Sequence, residues 1–300
     1  MSNSILVAGR NGQLAQCLRD TATAWTVPLV TVGRPELDFE SAGSVERLVD
    51  RLKPSAIINA AAYTAVDRAE AEQERAFKVN SDGAMRLAVA AARRGIPFIH
   101  TSTDYVFDGS KPHAYLEDDL PAPINVYGAS KLSSEIDVLR ACPWAVIIRT
   151  SWVYSPYGAN FVRTMVRLAQ TQPVVNVVDD QRGRPTSAAD LSEAMLVIAM
   201  RSMSENGFDN AGIYHLAGGG EATWYEFASA IFASVARTGR RVAKLNPTTT
   251  ANYPTPARRP MNSCLDSSKA ERVFNLRLPP WRRSLEDCMA RLDEMKEMVA

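Results

Sequence analysis

Tyr127-Gly128-Ala129-Ser130-Lys131 sets a phenol and an ammonium four residues apart. On a helix the two side chains share a face. A lysine ammonium beside a phenol favours the phenolate and lowers a pKa that is about 10 when unperturbed. A phenol so tuned can pass its proton to a developing alkoxide near neutral pH, which is what reduction of a carbonyl needs. The spacing alone is common by chance and fits an ordinary exposed pair. Two other features give it context. Ser102-Thr103-Asp104-Tyr105-Val106-Phe107-Asp108-Gly109 follows the apolar run Pro97-Phe98-Ile99-His100-Thr101, so hydroxyls stand at the carboxyl end of a strand. There one of them can hold a substrate oxygen while Tyr127 supplies the proton. Near the start, Gly9-Arg10-Asn11-Gly12-Gln13-Leu14-Ala15 follows Ile5-Leu6-Val7-Ala8. Glycine at 9 and 12 permits a tight turn and close approach to a pyrophosphate on the next helix N-terminus. The spacing is G-x-x-G-x-x-A, and a glycine pair alone serves any strand-to-helix turn. The three features in this order are far less expected by chance than any one of them.

The elements that must position these groups alternate along the first half. Strands are predicted at 5–8, 27–32, 56–59, 97–101 and 145–149. Between them lie helices from about 13, over 44–53, over 69–94 and over 127–139. Strands separated by helices of this length read as βαβ units, hence a parallel sheet covered on both faces. The hydroxyls and the glycine turn then sit at the carboxyl edge, where open α/β sheets bind ligands. Beyond Trp152 the pattern loosens. Strands are predicted at 174–178 and 213–216, and a helix over 187–201. Thr223-x-x-Glu226 reads as a capping box opening another helix, and Ser284-x-x-Asp287 as a similar start for the last one. Pro247, Pro254, Pro256, Pro260 and Pro279-Pro280 predict a loop-rich tail. The expected fold class is α/β: a Rossmann-type doubly wound parallel sheet with a smaller α/β substrate-binding domain. Residues 1–157 form the dinucleotide-binding domain, with 187–217 candidates to return to it, and 158–186 and 218–300 form the substrate domain.

The end of the second strand bears on the cofactor. An acid there would bond the ribose 2′-OH of NAD, whereas an arginine suits a 2′-phosphate. Here the strand ends Val32-Gly33-Arg34, with Arg10 in the glycine turn as a second cation. Both also fit solvated surface arginines. NADPH is favoured, with NADH as the alternative. Asp38 is near enough to cap an adenine amino group and equally fits a helix-flanking acid. The bulk composition is that of a globular protein, 46% apolar and 22% charged, with net charge +1. So even a balance argues against nucleic acid or an anionic membrane as partner. No apolar run approaches the roughly 20 residues of a membrane span. Cys17, Cys142, Cys264 and Cys288 are scattered, which suits a reduced, cytoplasmic protein. His100, His113 and His215 have no metal-ligand spacing.

With these residues the chain resembles the extended short-chain dehydrogenase/reductase superfamily and, within it, the dTDP-4-dehydrorhamnose reductase family. The likeness runs from about Ile5 to the last helix. It rests on Asn59-Ala60-Ala61-Ala62-Tyr63-Thr64-Ala65-Val66-Asp67, on Ser102 to Phe107, and on Arg149-Thr150-Ser151-Trp152-Val153-Tyr154. Two further blocks are Asp180-Gln181-x-Gly183-x-Pro185-Thr186 and Tyr253-Pro254-Thr255-Pro256-Ala257-x-Arg259-Pro260.

The resemblance implies a catalytic triad of Thr103, Tyr127 and Lys131. It implies cofactor contacts from Gly9, Arg10, Asn11, Gly12, Gln13 and Leu14, then from Arg34, Asp38 and Phe39. Ala60, Ala61, Ala62 and Tyr63 would line the nicotinamide side, and Asn80 would support Lys131 through water. Val66, Thr103, Asp104, Tyr105 and Trp152 would face the sugar, with Arg259 at the nucleotide end. The implied reaction is NADPH-dependent reduction of the 4-keto group of dTDP-6-deoxy-L-lyxo-4-hexulose to dTDP-L-rhamnose, the last step of dTDP-rhamnose synthesis. A non-catalytic NADP-binding regulatory subunit of the same fold is an alternative, against which the intact triad argues. So is a dehydratase or epimerase, which adds acid/base carboxylates after the catalytic hydroxyl where Thr103-Asp104-Tyr105 has one. Ala15 departs from the usual third glycine. Some relatives dimerise around Mg²⁺ held by glutamates; here Leu14-Ala15-Gln16-Cys17 and a lone Asp190 before Glu193 argue against such a site. The expectation is no metal, and a monomer or weak homodimer.

Overall fold

The computed structural model describes residues 4–41, 43–204, 209–237, 239 and 241–297. The chain begins β1 (Ile5–Ala8), α1 (Gln13–Ala24), β2 (Leu29–Val32), α2 (Ser44–Leu52) and β3 (Ala56–Asn59). It continues with α3 (Val66–Ala69), α4 (Gln73–Phe77), a π turn over Lys78–Asp82, α5 (Gly83–Arg94) and β4 (Phe98–Thr103). Then come α6 (Val126–Ala141), β5 (Val146–Thr150), β6 (Val153–Tyr154), α7 (Phe161–Thr171) and β7 (Val174–Val178). After them lie β8 (Arg182–Gly183), β9 (Thr186–Ser187), α8 (Ala188–Ser202) and β10 (Gly212–His215). The last elements are β11 (Ala222–Thr223), α9 (Trp224–Ala236), β12 (Lys244–Thr248), α10 (Ser268–Phe274) and α11 (Trp281–Glu297).

The main sheet has six strands in the order β10-β5-β4-β3-β1-β2, all parallel. β1, β3 and β5 are buried at every position, as strands covered on both faces must be. One face packs on α1, α8 and α10 through Leu18, Met195 and Phe274. The other packs on α2, α5 and α6 through Leu48, Leu87 and Val138. The order reverses at β1, with β2 on one side and β3 on the other, so a crevice opens at their carboxyl ends. A separate core joins α7, β7, α9 and α11 through Met165, Val175, Phe227 and Leu285. β10 pairs with β5, Gly212 opposite Val146, and α8 packs on α1, so α8 and β10 contribute to the first sheet and its cover.

Four local differences from the sequence reading have physical causes. The helix expected over 69–94 is α3, α4, the π turn and α5 in succession. The π turn buries Asn80 and Ser81 against α6, where both find hydrogen-bond partners. β2 begins at Leu29 because Pro28 lacks an N–H; its carbonyl still accepts from Ile5 N–H at 2.9 Å. α11 starts at Trp281, and the Ser284 hydroxyl donates to Asp190 at 2.5 Å instead of opening a helix. In the tail, β12 pairs parallel with β7 despite Pro247, which a two-stranded edge tolerates. The capping box of Thr223 and Glu226 opens α9 with both reciprocal bonds.

Candidate active site

A cleft of about 730 Å³ lies over the carboxyl ends of β1, β3 and β4, within the range of small-molecule sites. Its floor on one side is the β1–α1 turn. Gly9 takes φ 114°, and a Cβ there would lie 3.3 Å from the Ala60 carbonyl, so only glycine lets this turn close against the segment after β3. Gly12 is the N-cap of α1, no side chain caps the first turn, and the space above Gly12 is open. Free N–H groups and the helix dipole together suit a phosphate. Asn11, Gln13 and Leu14 line the same side, and Ala60, Ala61 and Ala62 continue it; Val66, expected to face the sugar, is also in the cleft lining. These residues fit a dinucleotide.

The remaining expected cofactor residues stand outside this lining. Arg10 pairs with Glu36 at 2.9 Å, and Arg34 lies 4.0 Å from Glu40. Exposed pairs of this kind are worth little, so either guanidinium can exchange its partner for a phosphate. Asp38 accepts the Glu40 N–H at 2.9 Å and caps a turn. Phe39 is a correction: its ring is buried against Gly83 in the α2/α5 core, which leaves its backbone and not its ring for ligand contact. The Tyr63 phenol donates to Glu72 at 3.0 Å. Asn80 is placed differently from the expectation. Its Oδ1 accepts from Tyr63 N–H at 2.7 Å and its Nδ2 donates to Ser130 at 2.9 Å, so it ties the cofactor-lining loop to α6 rather than serving Lys131.

Thr103, Tyr127 and Lys131 meet in the cleft. α6 is capped by Asn125, whose side chain accepts from Gly128 N–H. A Cβ at Gly128 would lie 2.1 Å from the Tyr105 carbonyl oxygen, so glycine after Tyr127 lets the helix start against the β4 loop. The Thr103 hydroxyl donates to Asp104 Oδ1 at 2.9 Å and accepts from Tyr105 N–H at 3.2 Å. Burial pushes the Tyr127 phenol up to about 12; a hydrogen bond with Thr103 pulls the other way and Asp104 adds to the rise. The phenol is therefore protonated at neutral pH. Burial outweighs the downward pull expected from Lys131, whose Nζ donates to the Thr101 carbonyl at 2.7 Å. Burial lowers Lys131 from 10.5 to about 8, opposed by Glu135 one turn further along. Glu135 is held by Arg149 through two bonds of 2.9 and 2.7 Å and by Ser102 at 2.5 Å, all buried. Asp104 is buried and pushed up to about 7 by that burial, which the hydroxyls of Ser263 and Thr103 oppose.

The far wall is aromatic. Trp152 holds φ 47°, a strained value for a bulky residue, and its indole stacks on Trp224 with centroids 3.5 Å apart. Phe161, capped by Asn160 at the start of α7, packs on Trp224 at 4.5 Å. Trp224 and Phe161 line the cleft and were not anticipated. Each is the first residue of its helix, so a capping residue before an aromatic was the available signal. Tyr105 lines the cleft edge-on to Tyr127 at 6.0 Å. Arg259 lies outside the lining, bonded to Asp67 at 2.9 and 3.0 Å and to Thr255 at 2.6 Å. Among the described residues no group of three His, Cys, Asp or Glu side chains converges to hold a metal, and no helix is long and apolar enough to cross a membrane.

A dinucleotide turn at the switch point, facing a phenol and a buried ammonium across one cleft, is the construction of a Rossmann-type short-chain dehydrogenase/reductase. Residues 3–294 match the family described as RmlD substrate binding domain, and the chain belongs to it. It is 49% identical over 280 residues to a dTDP-4-dehydrorhamnose reductase of Sinorhizobium fredii, covering 93% of this chain and 94% of that one. Two solved structures superpose over nearly the whole chain. The dTDP-4-dehydrorhamnose reductase of Bacillus anthracis in complex with NADP gives a TM-score of 0.88 at 34% identity, covering 97% of this chain and 100% of that one. The Clostridium acetobutylicum reductase of the same name gives 0.89 at 35%, covering 97% and 99%.

Proposed function

We infer that this chain reduces the 4-keto group of dTDP-6-deoxy-L-lyxo-4-hexulose to give dTDP-L-rhamnose, with NADPH as reductant. The observation that carries the reading is the set of buried Thr103 and Lys131 with half-buried Tyr127, sharing one cleft with the dinucleotide turn. The names of the relatives supply the sugar. NADPH, when bound, supplies the hydride. The Thr103 hydroxyl and the Tyr127 phenol hold the ketone oxygen from two sides, and Tyr127 gives it a proton as it becomes an alkoxide. Lys131 steadies the phenolate that remains and reaches the ribose of the cofactor. Trp152 and Trp224 stack over the apolar face of the deoxysugar, and Asp104, which lines the cleft, faces a sugar hydroxyl. Arg10 and Arg34 grip the 2′-phosphate after releasing Glu36 and Glu40.

The test is loss of NADPH absorbance with this 4-keto sugar nucleotide, set against other 4-keto nucleotide sugars and against NADH. Turnover is expected to be fastest with the dTDP-linked 6-deoxy-L-sugar. Absence of oxidation with that substrate, or a clear preference for another, overturns the reading.

A further inference from the structure

Behind Lys131 lies a group for which the reaction so far described has no use. His100 on β4 is fully buried, with Nε2 3.3 Å from Lys131 Nζ and 2.9 Å from Ser134 Oγ, and Nδ1 3.1 Å from Asn59 Nδ2. The hydrogen bonds fix its tautomer. Asn59 Oδ1 accepts from Ala61 N–H at 3.1 Å, so the amide turns its Nδ2 donor to the ring and Nδ1 must accept. The ring proton then sits on Nε2. Ser134 donates its own hydrogen to the Lys131 carbonyl at 2.6 Å and is left to accept from Nε2–H. Nε2–H therefore meets the lysine nitrogen donor to donor. Nζ has one acceptor behind it, Thr101 O at 2.7 Å, and Lys131 lines the cleft.

We propose that His100 is a positioning residue for Lys131: an uncharged imidazole, locked by Asn59 with its proton on Nε2, that offers the ammonium no acceptor and so aims it at Tyr127 and the cofactor. The same amide bonds the Ala60–Ala62 segment, so one pair of side chains couples the cofactor wall to the catalytic ammonium. Burial and the neighbouring Lys131 hold His100 well below the usual histidine range, which keeps the ring uncharged wherever the protein works. The titratable groups around Lys131 are Tyr127 and Glu135 on α6, His100 on β4, Asp104 beyond it and Arg149 on β5. Among these, His100 is the one that presents a neutral donor to Nζ.

The proposal deepens the reductase reading and relies on it for the role of Lys131, so its test has an arm that needs no substrate. The chain has three histidines, and proton–nitrogen correlation NMR of histidine-labelled protein reads the tautomer of each. His100 is expected neutral with its proton on Nε2, and in Asn59→Asp, whose carboxylate only accepts, the proton is expected to move to Nδ1. A charged ring, or the proton on Nδ1 in the unaltered protein, overturns the proposal whatever the substrate proves to be. The second arm is the pH profile of kcat/KM for ketone reduction. In His100→Gln the amide can turn its oxygen to Nζ, an acceptor where the imidazole has a donor. The alkaline limb set by Lys131 is then expected to rise by about one pH unit, a tenfold change in proton affinity, with NADPH binding retained. A folded variant that loses turnover with its limb unmoved marks His100 as structural only and refutes the idea. Should His100→Gln not fold, Asn59→Asp carries the same expected upward limb. Failure of the protein to reduce any keto sugar rejects the reductase reading and leaves the tautomer measurement standing.

Discussion

Lys131 is buried to 2% exposure and is an ammonium inside the protein, so the chemistry and the stability of the fold should oppose each other there. Burial takes its pKa from 10.5 in the unfolded chain to about 8. At about 1.4 kcal/mol per pH unit, keeping it charged costs the folded state on the order of 3 kcal/mol at neutral pH. Lys131→Met keeps the length and apolar stem and removes the charge. It leaves the Thr101 carbonyl without its 2.7 Å donor, which returns about 1 kcal/mol of that gain. The expected net effect is a variant about 2 kcal/mol more stable at pH 7 that has lost nearly all turnover. The sign of the pH dependence follows from the lowered pKa. Between about 8 and 10.5 the unfolded state holds the proton and the folded state does not, so the wild type gains stability as pH rises through that window. The gap between the two proteins is therefore full below pH 8 and closes above it. Urea unfolding at a series of pH values from 7 to about 9.5 measures it. A variant less stable than wild type at pH 7, or a difference that does not change with pH, would refute the burial argument.

Tyr127→Phe keeps the ring and removes the proton donor; kcat is expected to fall about 10²-fold or more with NADPH affinity nearly unchanged, and near wild-type turnover would remove Tyr127 from the mechanism. Arg10→Ala and Arg34→Ala should each weaken NADPH more than NADH, because a guanidinium grips only the 2′-phosphate that NADPH carries; equal losses in a titration of both cofactors would make them bystanders. Trp224→Ala removes the ring stacked on Trp152 and should raise KM for the sugar nucleotide about fivefold, a stacking loss of about 1 kcal/mol, leaving NADPH binding in place. EDTA should leave activity and sedimentation unchanged, since Asp190 is engaged by Ser284 and Cys17 is buried where a bridging carboxylate would be needed. A chelator-induced shift from dimer to monomer, reversed by Mg²⁺, would refute this and point to Asp190 or Glu193.

The parallel sheet was legible because buried strands write themselves as unbroken apolar runs, and Ile5–Ala8 and Ala56–Asn59 were read to the residue. That Thr103, Tyr127 and Lys131 share one cleft was legible from their order after β4 and on the helix that follows it. The break between α3 and α5 was not. Residues 66–94 are rich in alanine, glutamate and arginine, all good helix formers, and what opens the π turn is a distant need, the bonds of Asn80 to Tyr63 and Ser130. β12 was hidden by Pro247, which reads as a loop until β7 is known to lie beside it. Trp224 was hidden for a similar reason. The capping box before it could be read, but that its ring would lie on Trp152, seventy-two positions earlier in the chain by their numbers, could not.

Several departures from local rules gather around the cleft. Trp152 holds a left-handed backbone angle, α5 is entered through a π turn, the Asp104 carboxyl is buried, and Lys131 is buried as a base. Each costs stability by itself, and their concentration at one sheet edge is what a site maintained for chemistry requires. The Arg149–Glu135 pair behind them is best understood in the same way. A buried ion pair adds little net stability, yet losing one partner leaves a bare charge, so the pair enforces one arrangement more than it strengthens it. Tyr127, Lys131 and Glu135 stand four residues apart on one face of α6, and Arg149 on β5 and Ser102 on β4 grip the last of them. A rotation of α6 that misaimed the phenol would pull Glu135 from Arg149. The fold thereby ties the register of α6 to a bond it cannot cheaply break.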